Sequence, residues 1–287
     1  MSAPLSAASG VAQSTGASTQ PIEWTESGGV YELRLAQPPC NELGVEMLAG
    51  LERFVSEVEA SSARAVIVHS ALAAGFCAGA DLRGLYAGMQ GREPAEYMPE
   101  LREFIERIHA LMQRFDRLGQ TTIGALHGVC FGGGFELALV CDVLIADRTT
   151  RFGFPELRLG IIPCFGGIPR LRRELPNAVV RDLVLTGRSL SAKRAYELGL
   201  ISQLVAPGAS LDVARAAARQ SALFELAVNR RAKAFIKPRH DEELALEREL
   251  FFGMAAEPAL RTALADFVGR TDAQPYLPRS SQPTEAE

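Results

Sequence analysis

Three consecutive glycines followed closely by a glutamate form the segment whose residue types are best suited to chemistry. Gly132, Gly133 and Gly134 come after an apolar stretch, and Glu136 stands two residues beyond them. A glycine lowers helix stability by about 1 kcal/mol relative to alanine, so three at a helix start indicate a close backbone approach. Backbone N–H groups at a helix start favour negative charge. The segment therefore predicts an anion site with a carboxylate beside it.

That anion is either a permanent phosphate or an oxygen that becomes negative only during a reaction. Neither the G-x-x-x-x-G-K-S/T nor the G-x-G-x-x-G phosphate motif is present, and Glu136 would repel a bound phosphate. An oxyanion hole beside an acid or base fits better. A structural interpretation stays open on this segment alone: the glycines permit tight strand-to-helix packing, and Glu136 is a solvated acid favoured by the helix dipole.

A second acid, Glu156, follows Phe154 and Pro155, twenty residues after the first. Aromatic and proline neighbours keep water away, and desolvation raises a carboxyl pKa towards the range useful for acid–base catalysis. The alternative is that Glu156 caps a helix or forms an ion pair with Arg158 or Arg170.

A second glycine-containing turn, residues 75–82 (GFCAGADL), also joins a strand to a helix. Two such turns at the same end of neighbouring parallel strands would direct their backbone N–H groups into one crevice, where ligands bind in open α/β folds. Taken by itself, an ordinary loop with Asp81 as the helix N-cap is the simpler interpretation.

Composition and charge exclude several classes of protein. The 287 residues are 47% hydrophobic and 22% charged, with a net charge of -4, which predicts a globular chain rather than a disordered or fibrous one. An acidic balance without a basic stripe argues against nucleic acid as a partner. No apolar run is long enough to span a membrane. The five cysteines are separated and include no C-x-x-C pair, which predicts reduced thiols and a cytoplasmic location. The histidines form no H-E-x-x-H motif, so no metal site is predicted.

The elements that must position these residues follow an α/β pattern. Strands are predicted at residues 30–35, 64–69, 121–126 and 143–146, with helical periodicity between them. Beyond Pro169 only helices are predicted, at 177–186, 191–198, 212–226, 241–254 and 258–269. We predict four regions: a disordered tail at 1–20, a core at 21–205, a C-terminal helical region at 206–270 and a second disordered tail at 271–287.

Taken together, the motifs resemble the crotonase superfamily, and most closely its enoyl-CoA hydratase/isomerase branch. The resemblance spans residues 30–269, and several motifs in register make it more specific than any one glycine run. The segments that carry it are 75–82 (GFCAGADL), 127–138 (HGVCFGGGFELA), 141–142 (CD), 152–156 (FGFPE), 160–163 (GIIP), 166–167 (GG), 170–171 (RL), 185–188 (LTGR), 192–200 (AKRAYELGL) and 204–205 (LV).

The resemblance implies a spiral of ββα units, a C-terminal helical trimerisation region, and a homotrimer or homohexamer. It also implies an oxyanion hole that holds a thioester carbonyl, whose two backbone amides fall on Ala80 and Gly133. The two glutamates of the hydratases fall on Glu136, assigned to the attacking water, and Glu156, assigned to the proton at Cα. The two carboxyl groups are expected to titrate as a coupled pair.

Coenzyme A is implied as the acyl carrier, and no metal or redox cofactor is required. Arg83 stands where the family often has a lysine, Cys164 replaces a small residue and is followed by Phe165, and the usual Thr-Gln is Ile168-Pro169. The larger side chain at 164 is expected to reshape the acyl pocket, although an amide near it can still place a water. The basic cluster near the C-terminus is thinned to Arg270. The positions implied for CoA and substrate are Ala78, Ala80, Asp81, Leu82, Arg83, Gly132, Gly133 and Cys164.

The expected activity is that of an enoyl-CoA hydratase of fatty-acid and lipid metabolism, which adds water reversibly to a 2-enoyl-CoA. The alternatives within this fold are an enoyl-CoA isomerase, or a dehydratase or decarboxylase acting on a thioester of CoA or of a carrier protein. A non-catalytic scaffold or RNA-binding member is a third class, which would predict a lost acid or a basic surface. Both acids are present and the chain is acidic.

Overall fold

The computed structural model describes residues 20–270, in which strands form two mainly parallel sheets. The predicted tails, 1–20 and 271–287, lie outside the described residues except for Gln20. The strands are β1 (Ile22–Ser27), β2 (Val30–Leu35), β3 (Ala65–Ser70), β4 (Gly75–Cys77), β5 (Thr121–Leu126), β6 (Val129–Phe131), β7 (Val143–Asp147), β8 (Arg151–Gly153), β9 (Leu190–Ser191) and β10 (Gln203–Val205).

Helices surround both sheets. They are α1 (Val45–Ala60), α2 (Leu82–Met89), α3 (Pro94–Asp116), α4 (Gly133–Leu139), α5 (Gly167–Glu174), α6 (Asn177–Thr186), α7 (Ala192–Glu197), α8 (Ser210–Ser221), α9 (Leu226–Ile236), α10 (Asp241–Ala255) and α11 (Pro258–Val268). A short 3-10 helix covers Glu156–Leu159. Among residues 20–270, none of these helices is both long and apolar enough to cross a membrane.

The strands are shared between the sheets in a repeating order. The larger sheet has the order β1-β2-β3-β5-β7-β10, and the smaller has β4-β6-β8-β9. Three times in succession a strand of the larger sheet (β3, β5, β7) is followed by a strand of the smaller one (β4, β6, β8) and then by a helix. This is the predicted ββα spiral, so the α/β fold class is confirmed.

Apolar side chains on both faces of the larger sheet explain why its central strands read as continuous apolar runs. Val66 and Val68 of β3 face the main core, whereas Ala65 and Ile67 face a second cluster built with Ala214 of α8. Strands buried on both faces are typical of parallel sheets covered by helices. Helix α8 thus packs directly on the sheet, and the predicted division of the chain at residue 205 stays a prediction.

One helix of the C-terminal region was not predicted. The sequence indicated a helix at 212–226, but α8 ends at Ser221 and α9 begins at Leu226. Helix α9 buries Lys233 and leaves Phe235 and Ile236 exposed. Because its apolar side chains do not form a stripe that faces this chain's own core, helical periodicity gave no signal.

Candidate active site

A cavity of about 300 Å³ lies where strands β4 and β6 end. The two strands pair in parallel, so the turns that follow them open at the same edge, as the sequence predicted. Helices α2 and α3 and the 3-10 helix close the other sides. Of the residues predicted to form the site, all but one line this cavity, namely Ala78, Ala80, Asp81, Leu82, Gly132, Gly133, Glu136, Glu156 and Cys164.

The predicted oxyanion amides, those of Ala80 and Gly133, lie on the two turns. The Leu43 N–H donates to Gly79 O at 2.7 Å, and the Asp81 N–H donates to Leu43 O at 3.2 Å, which fixes the backbone on both sides of Ala80. Gly133 is the first residue of α4, where a helix leaves its N–H groups without intrahelical acceptors. Both amides are therefore available to an oxygen in the cavity.

Gly132 has a backbone that requires glycine, with φ of 51° and ψ of -129°. A Cβ added there would lie 2.6 Å from Oε1 of Glu156, and one at Gly133 would lie 2.7 Å from the Phe165 ring. Side chains at these positions would displace either the second acid or the wall of the cavity. The glycines thus serve the close approach that the sequence indicated.

Glu136 lies in the first turn of α4 and is 1% exposed. Its Oε1 accepts hydrogen bonds from the N–H groups of Phe165 at 2.7 Å and of Gly167 at 2.8 Å. Burial raises the pKa of Glu136 to about 7, although these two amides and the charge of Arg170 act in the opposite direction. The alternative of a solvated first-turn acid is wrong, because the side chain is fully enclosed.

Glu156 opens the 3-10 helix, and its Oε2 is buried without a hydrogen-bond partner. Burial, and after it the nearby charge of Glu136, raise the pKa of Glu156 well above its usual value. The guanidinium of Arg170 pairs with Asp116 instead, with 3.3 Å between Nε and Oδ2. The ion pair with Arg170 considered from the sequence is therefore absent, and Glu156 favours its protonated form.

Apolar side chains make up most of the remaining wall. They come from the helices and the loop that surround the two carboxyl groups, and they include Leu85, Met89, Tyr97, Leu101, Phe104, Ile105, Leu159, Ile161, Ile162, Phe165 and Phe251. Phe104 and Phe165 meet edge to face, with ring centroids 6.5 Å apart. This surface suits a hydrocarbon chain and makes the surroundings of the carboxyl groups less polar.

Two sequence departures have a clear structural outcome. Cys164 and Phe165 both stand in the wall, so the expectation of an altered pocket applies to this cavity. The amide that follows Cys164 donates to Glu136 and not into the open cavity. Burial raises the pKa of the Cys164 thiol well above its usual value, which excludes a thiolate nucleophile at neutral pH.

Arg83 is the one predicted site residue that does not line the cavity. Its guanidinium approaches Val268 O at 3.4 Å and lies 5.9 Å from the centre of the Phe267 ring. Asp81 is the N-cap of α2, as the simpler interpretation held, because its side chain accepts from the Gly84 N–H at 2.9 Å. Arg83 thus contacts α11, and its predicted contact with a CoA phosphate stays a prediction.

Sequence reasoning missed a third buried glutamate beside the site. Glu247, in α10, is 4% exposed, and its Oε1 accepts from the Ile168 N–H at 2.9 Å. Burial, and then the charge of Glu136, raise the pKa of Glu247 well above its usual value. The sequence around it, ALEREL, resembles that of any charged helix, so no motif marked it.

The arrangement combines two free amides, two buried carboxyl groups and an apolar wall. Amides aimed at one point stabilise an oxygen that gains negative charge, and the carboxyl groups can exchange protons with atoms near it. A thioester whose carbonyl becomes an enolate matches both features. The fold and this site define the class: the protein is a member of the crotonase superfamily.

Comparisons with known proteins give the family. The family model described as enoyl-CoA hydratase/isomerase matches residues 25–274. A Rhizobium meliloti protein named "Probable enoyl-CoA hydratase" is 34% identical over 253 residues, which cover 86% of this chain and 94% of that protein. A carnitinyl-CoA dehydratase of Salmonella arizonae is 35% identical over 204 residues, covering 70% and 74% of the two chains.

A solved structure agrees with these sequence matches. The enoyl-CoA hydratase from Bacillus anthracis has a TM-score of 0.70 and is 29% identical, over 83% of this chain and 92% of that one. This chain belongs to the enoyl-CoA hydratase/isomerase family. The resemblance seen in the sequence motifs is thereby confirmed.

Proposed function

We propose that the protein is an enoyl-CoA hydratase that adds water reversibly to a 2-enoyl-CoA thioester. The observation that carries the proposal is the unequal setting of two buried carboxyl groups in one cavity. Glu136 has two amide donors on one oxygen, whereas Oε2 of Glu156 has no partner. At neutral pH one carboxylate is thus available as a base while the other group holds a proton.

In the proposed reaction the oxygen of water bonds to Cβ as the C=C π electrons move towards the thioester carbonyl. The carboxylate of Glu136 takes a proton from the water, and the amides of Ala80 and Gly133 hold the enolate oxygen. The enolate then collapses and Cα takes the proton of Glu156. One proton has moved from water to Glu136 and another from Glu156 to carbon, so the charges balance.

The substrate needs a carrier that can reach between the two turns. A CoA thioester fits the family, and Ala78, Ala80, Asp81 and Leu82 line the cavity that it would enter. A contact between Arg83, which lies outside the cavity on α2, and a CoA phosphate is part of the proposal. The reaction as written uses no metal and no redox cofactor. A carrier-protein thioester would place the same acyl group between the same glutamates.

Dehydration of a 3-hydroxyacyl-CoA is the same reaction in reverse, and the Salmonella arizonae relative is named a dehydratase. Isomerisation or decarboxylation needs the oxyanion amides but only one proton carrier. The presence of both carboxyl groups in the cavity favours hydration over these alternatives. An RNA-binding or scaffold role would not need two buried acids.

The first experiment follows the loss of the conjugated enoyl absorbance of crotonyl-CoA and identifies the product by mass. We expect wild type to form the 3-hydroxy thioester and Glu156→Gln to be about 10²–10⁴-fold slower, because the amide cannot give its proton to Cα. Glu103→Gln, an exposed change on α3, is the matched control. A folded, CoA-binding wild type that adds no water contradicts the proposal.

The pH profile supplies a second test of the same assignment. Hydration should rise as pH passes about 7, where Glu136 loses its proton, and should fall at higher pH as Glu156 ionises. The Glu136→Gln variant should lose the acid limb together with most of the activity. A rate independent of pH between 5 and 9 would remove Glu136 from the role of base.

We also propose that the chain forms a homotrimer or homohexamer through its C-terminal helices. Large apolar side chains cluster on the outside of this region, including Leu223, Phe224, Val228, Phe235 and Leu246, with Phe235 92% exposed. Such a patch is typical of a protein interface. Light scattering should give three or six copies, and Phe235→Glu should lower that number; a monomeric wild type would contradict this.

A further inference from the structure

The loop of residues 164–168 is held by two buried glutamates from different helices. Glu136 of α4 accepts from the amides of residues 165 and 167, and Glu247 of α10 accepts from the amide of residue 168. Arg170 clamps the same loop through its carbonyls, with Nη1 donating to Phe165 O at 2.9 Å and to Gly166 O at 3.2 Å. Three of the five N–H groups and two of the five C=O groups of the loop are therefore fixed by the side chains of Glu136, Glu247 and Arg170.

Glu247 does not line the cavity, so it does not touch the substrate that the proposed function requires. Its Oε2 is buried and has no hydrogen-bond partner. An ionised carboxylate in such a position would be strongly unfavourable without a cation. The charge of Arg170 acts against this by lowering the pKa of Glu247, but burial and the charge of Glu136 outweigh it. Nε and Nη1 of Arg170 are engaged by Asp116 and the loop carbonyls, and Nη2 forms no hydrogen bond with Glu247. Glu247 is therefore placed to accept hydrogen bonds as a neutral acid.

Other titratable groups surround the same region. Glu136 and Glu156 face it from α4 and the 3-10 helix, and both disfavour a further negative charge. His109 of α3 is completely buried with both ring nitrogens unpartnered, and burial lowers its pKa to about 4, so it is neutral. After burial, the charges of Arg248 of α10 and of Arg170 of α5 also lower the pKa of His109.

On the basis of the proposed function, we propose that Glu247 is a positioning residue that holds the 164–168 loop as a neutral acid, so that the one negative charge of the site resides on Glu136. The loop presents the amides that fix the carboxylate of Glu136. Loss of the hydrogen bond between Glu247 and the Ile168 amide would make the loop more mobile, and with it the amides of residues 165 and 167 that donate to Glu136. Ionisation of Glu247 would make proton loss from Glu136 harder. Helix α10, at the far end of the sequence, thereby sets the state of the base.

Two variants separate the acceptor from the charge. Glu247→Gln keeps an oxygen for the Ile168 amide and is neutral at every pH, so we expect kcat for hydration within about threefold of wild type and an unchanged acid limb. Glu247→Leu removes the acceptor. It should lower kcat about tenfold or more with little change in KM, and should move the acid limb to higher pH. Glu249→Gln, exposed on the same helix, is the control.

Two readouts test the proposal without relying on activity. Hydrogen exchange of the 164–168 segment should be faster in Glu247→Leu and unchanged in Glu247→Gln. Infrared difference spectra at pH 7 should show one protonated-carboxyl band fewer in Glu247→Gln than in wild type, because the side chain carries that proton.

The outcomes separate the two proposals. A wild type that adds no water contradicts the proposed function, yet exchange and infrared data still decide the role of Glu247. If wild type hydrates and Glu247→Gln behaves like Glu247→Leu, Glu247 does not act as a neutral acid and the proposal is overturned. The same conclusion follows if the infrared spectrum of Glu247→Gln keeps every protonated-carboxyl band of wild type. If Glu247→Leu does not fold, the Glu247→Gln pH profile and spectrum decide alone: a displaced acid limb or an unchanged spectrum overturns the proposal.

Discussion

Two clusters of buried charge lie on either side of Arg170 and differ in what accompanies their acids. The acid cluster consists of Glu136 and Glu156, which line the cavity, and of Glu247, which lies beside it. The ion-pair cluster lies behind it and consists of Asp116, Asp142, Arg173, Lys233 and Lys237. Arg170 contacts both, through Asp116 on one side and the carbonyls of residues 165 and 166 on the other.

Similar burial produces opposite charge states in the two clusters. Burial would by itself raise the pKa of Asp116, but the charges of Lys237, Arg170 and Arg173 outweigh it and hold that pKa well below its usual value. Burial also raises the pKa of Glu136, and there two amides and one guanidinium reduce the effect only in part. Direct cation partners, rather than depth, therefore decide which buried acid is ionised.

The comparison teaches that each cluster is suited to a different purpose. An acid surrounded by cations stays charged and contributes to the stability of the fold. Removing its carboxylate would leave the buried cations unpaired. An acid without a cation can hold or release a proton near neutral pH, at a cost in stability when it ionises. The next three predictions test this difference.

The largest effect is expected for Asp116→Asn. The change leaves Lys237, Arg170 and Arg173 without their shared carboxylate, and we expect a loss of about 3–5 kcal/mol in the free energy of unfolding at pH 7. Urea unfolding measures it. Since the folded pKa is lowered, this stabilisation should be present above about pH 4 in wild type and should disappear as the solution is made more acidic. A loss below about 1 kcal/mol would mean that the cluster adds little.

The second prediction is a gain, rather than a loss, in the free energy of unfolding. Glu136→Gln should stabilise the fold, because the folded pKa of Glu136 is raised and wild type loses stability as pH rises from the unfolded value through about 7. The gain should be close to zero below pH 4.5 and should reach roughly 3 kcal/mol above pH 7. Unfolding curves at pH 4.5, 6 and 8 provide the check. Equal stability of wild type and Glu136→Gln at pH 8 would contradict a raised pKa for Glu136.

The smallest effect is expected for an ion pair outside both clusters. Arg194 and Glu197 form a 3.0 Å contact on α7, but their side chains are 58% and 43% exposed. Arg194→Ala should change the free energy of unfolding by about 0.5 kcal/mol or less, since water screens the pair. Salt should reduce even that change. A larger loss in the free energy of unfolding would show that the strength of an ion pair depends more on contact distance than on burial, which would contradict the difference between the two clusters.

Much of the cavity could be predicted from local sequence. Gly132 to Gly134 marked a close backbone approach, and two strand-to-helix turns predicted one crevice, because parallel strands end at the same edge. Glu136 stood out because it follows the three glycines, and Glu156 because aromatic and proline residues precede it. Their burial, and with it the choice between a solvated acid and an enclosed base, depends on packing that local patterns do not contain.

Glu247 and Asp116 show what sequence could not supply. Glu247 shares helix α10 with Glu242, Glu243 and Glu249, and residue type alone does not show which of the four is buried. Asp116 ends a long amphipathic helix and meets Lys237 only through the tertiary fold. Both contacts join segments more than 75 residues apart, as the separations of 79 and 121 positions along the chain show. The missed helix α9 has the same cause, since its apolar side chains do not face this chain's core.

The cysteines of the folded protein should react only slowly with thiol reagents. All five are buried and free, and burial raises the pKa of the thiols at 40, 77, 130, 141 and 164. Reagents attack the thiolate, so labelling must wait for the chain to open. Cys164 lines the cavity and the other four do not. The order in which the five react therefore reports where the folded chain opens. Reaction of Cys164 indicates movement at the cavity, whereas reaction of Cys77 in β4 and Cys130 in β6 indicates separation of the strands of the smaller sheet.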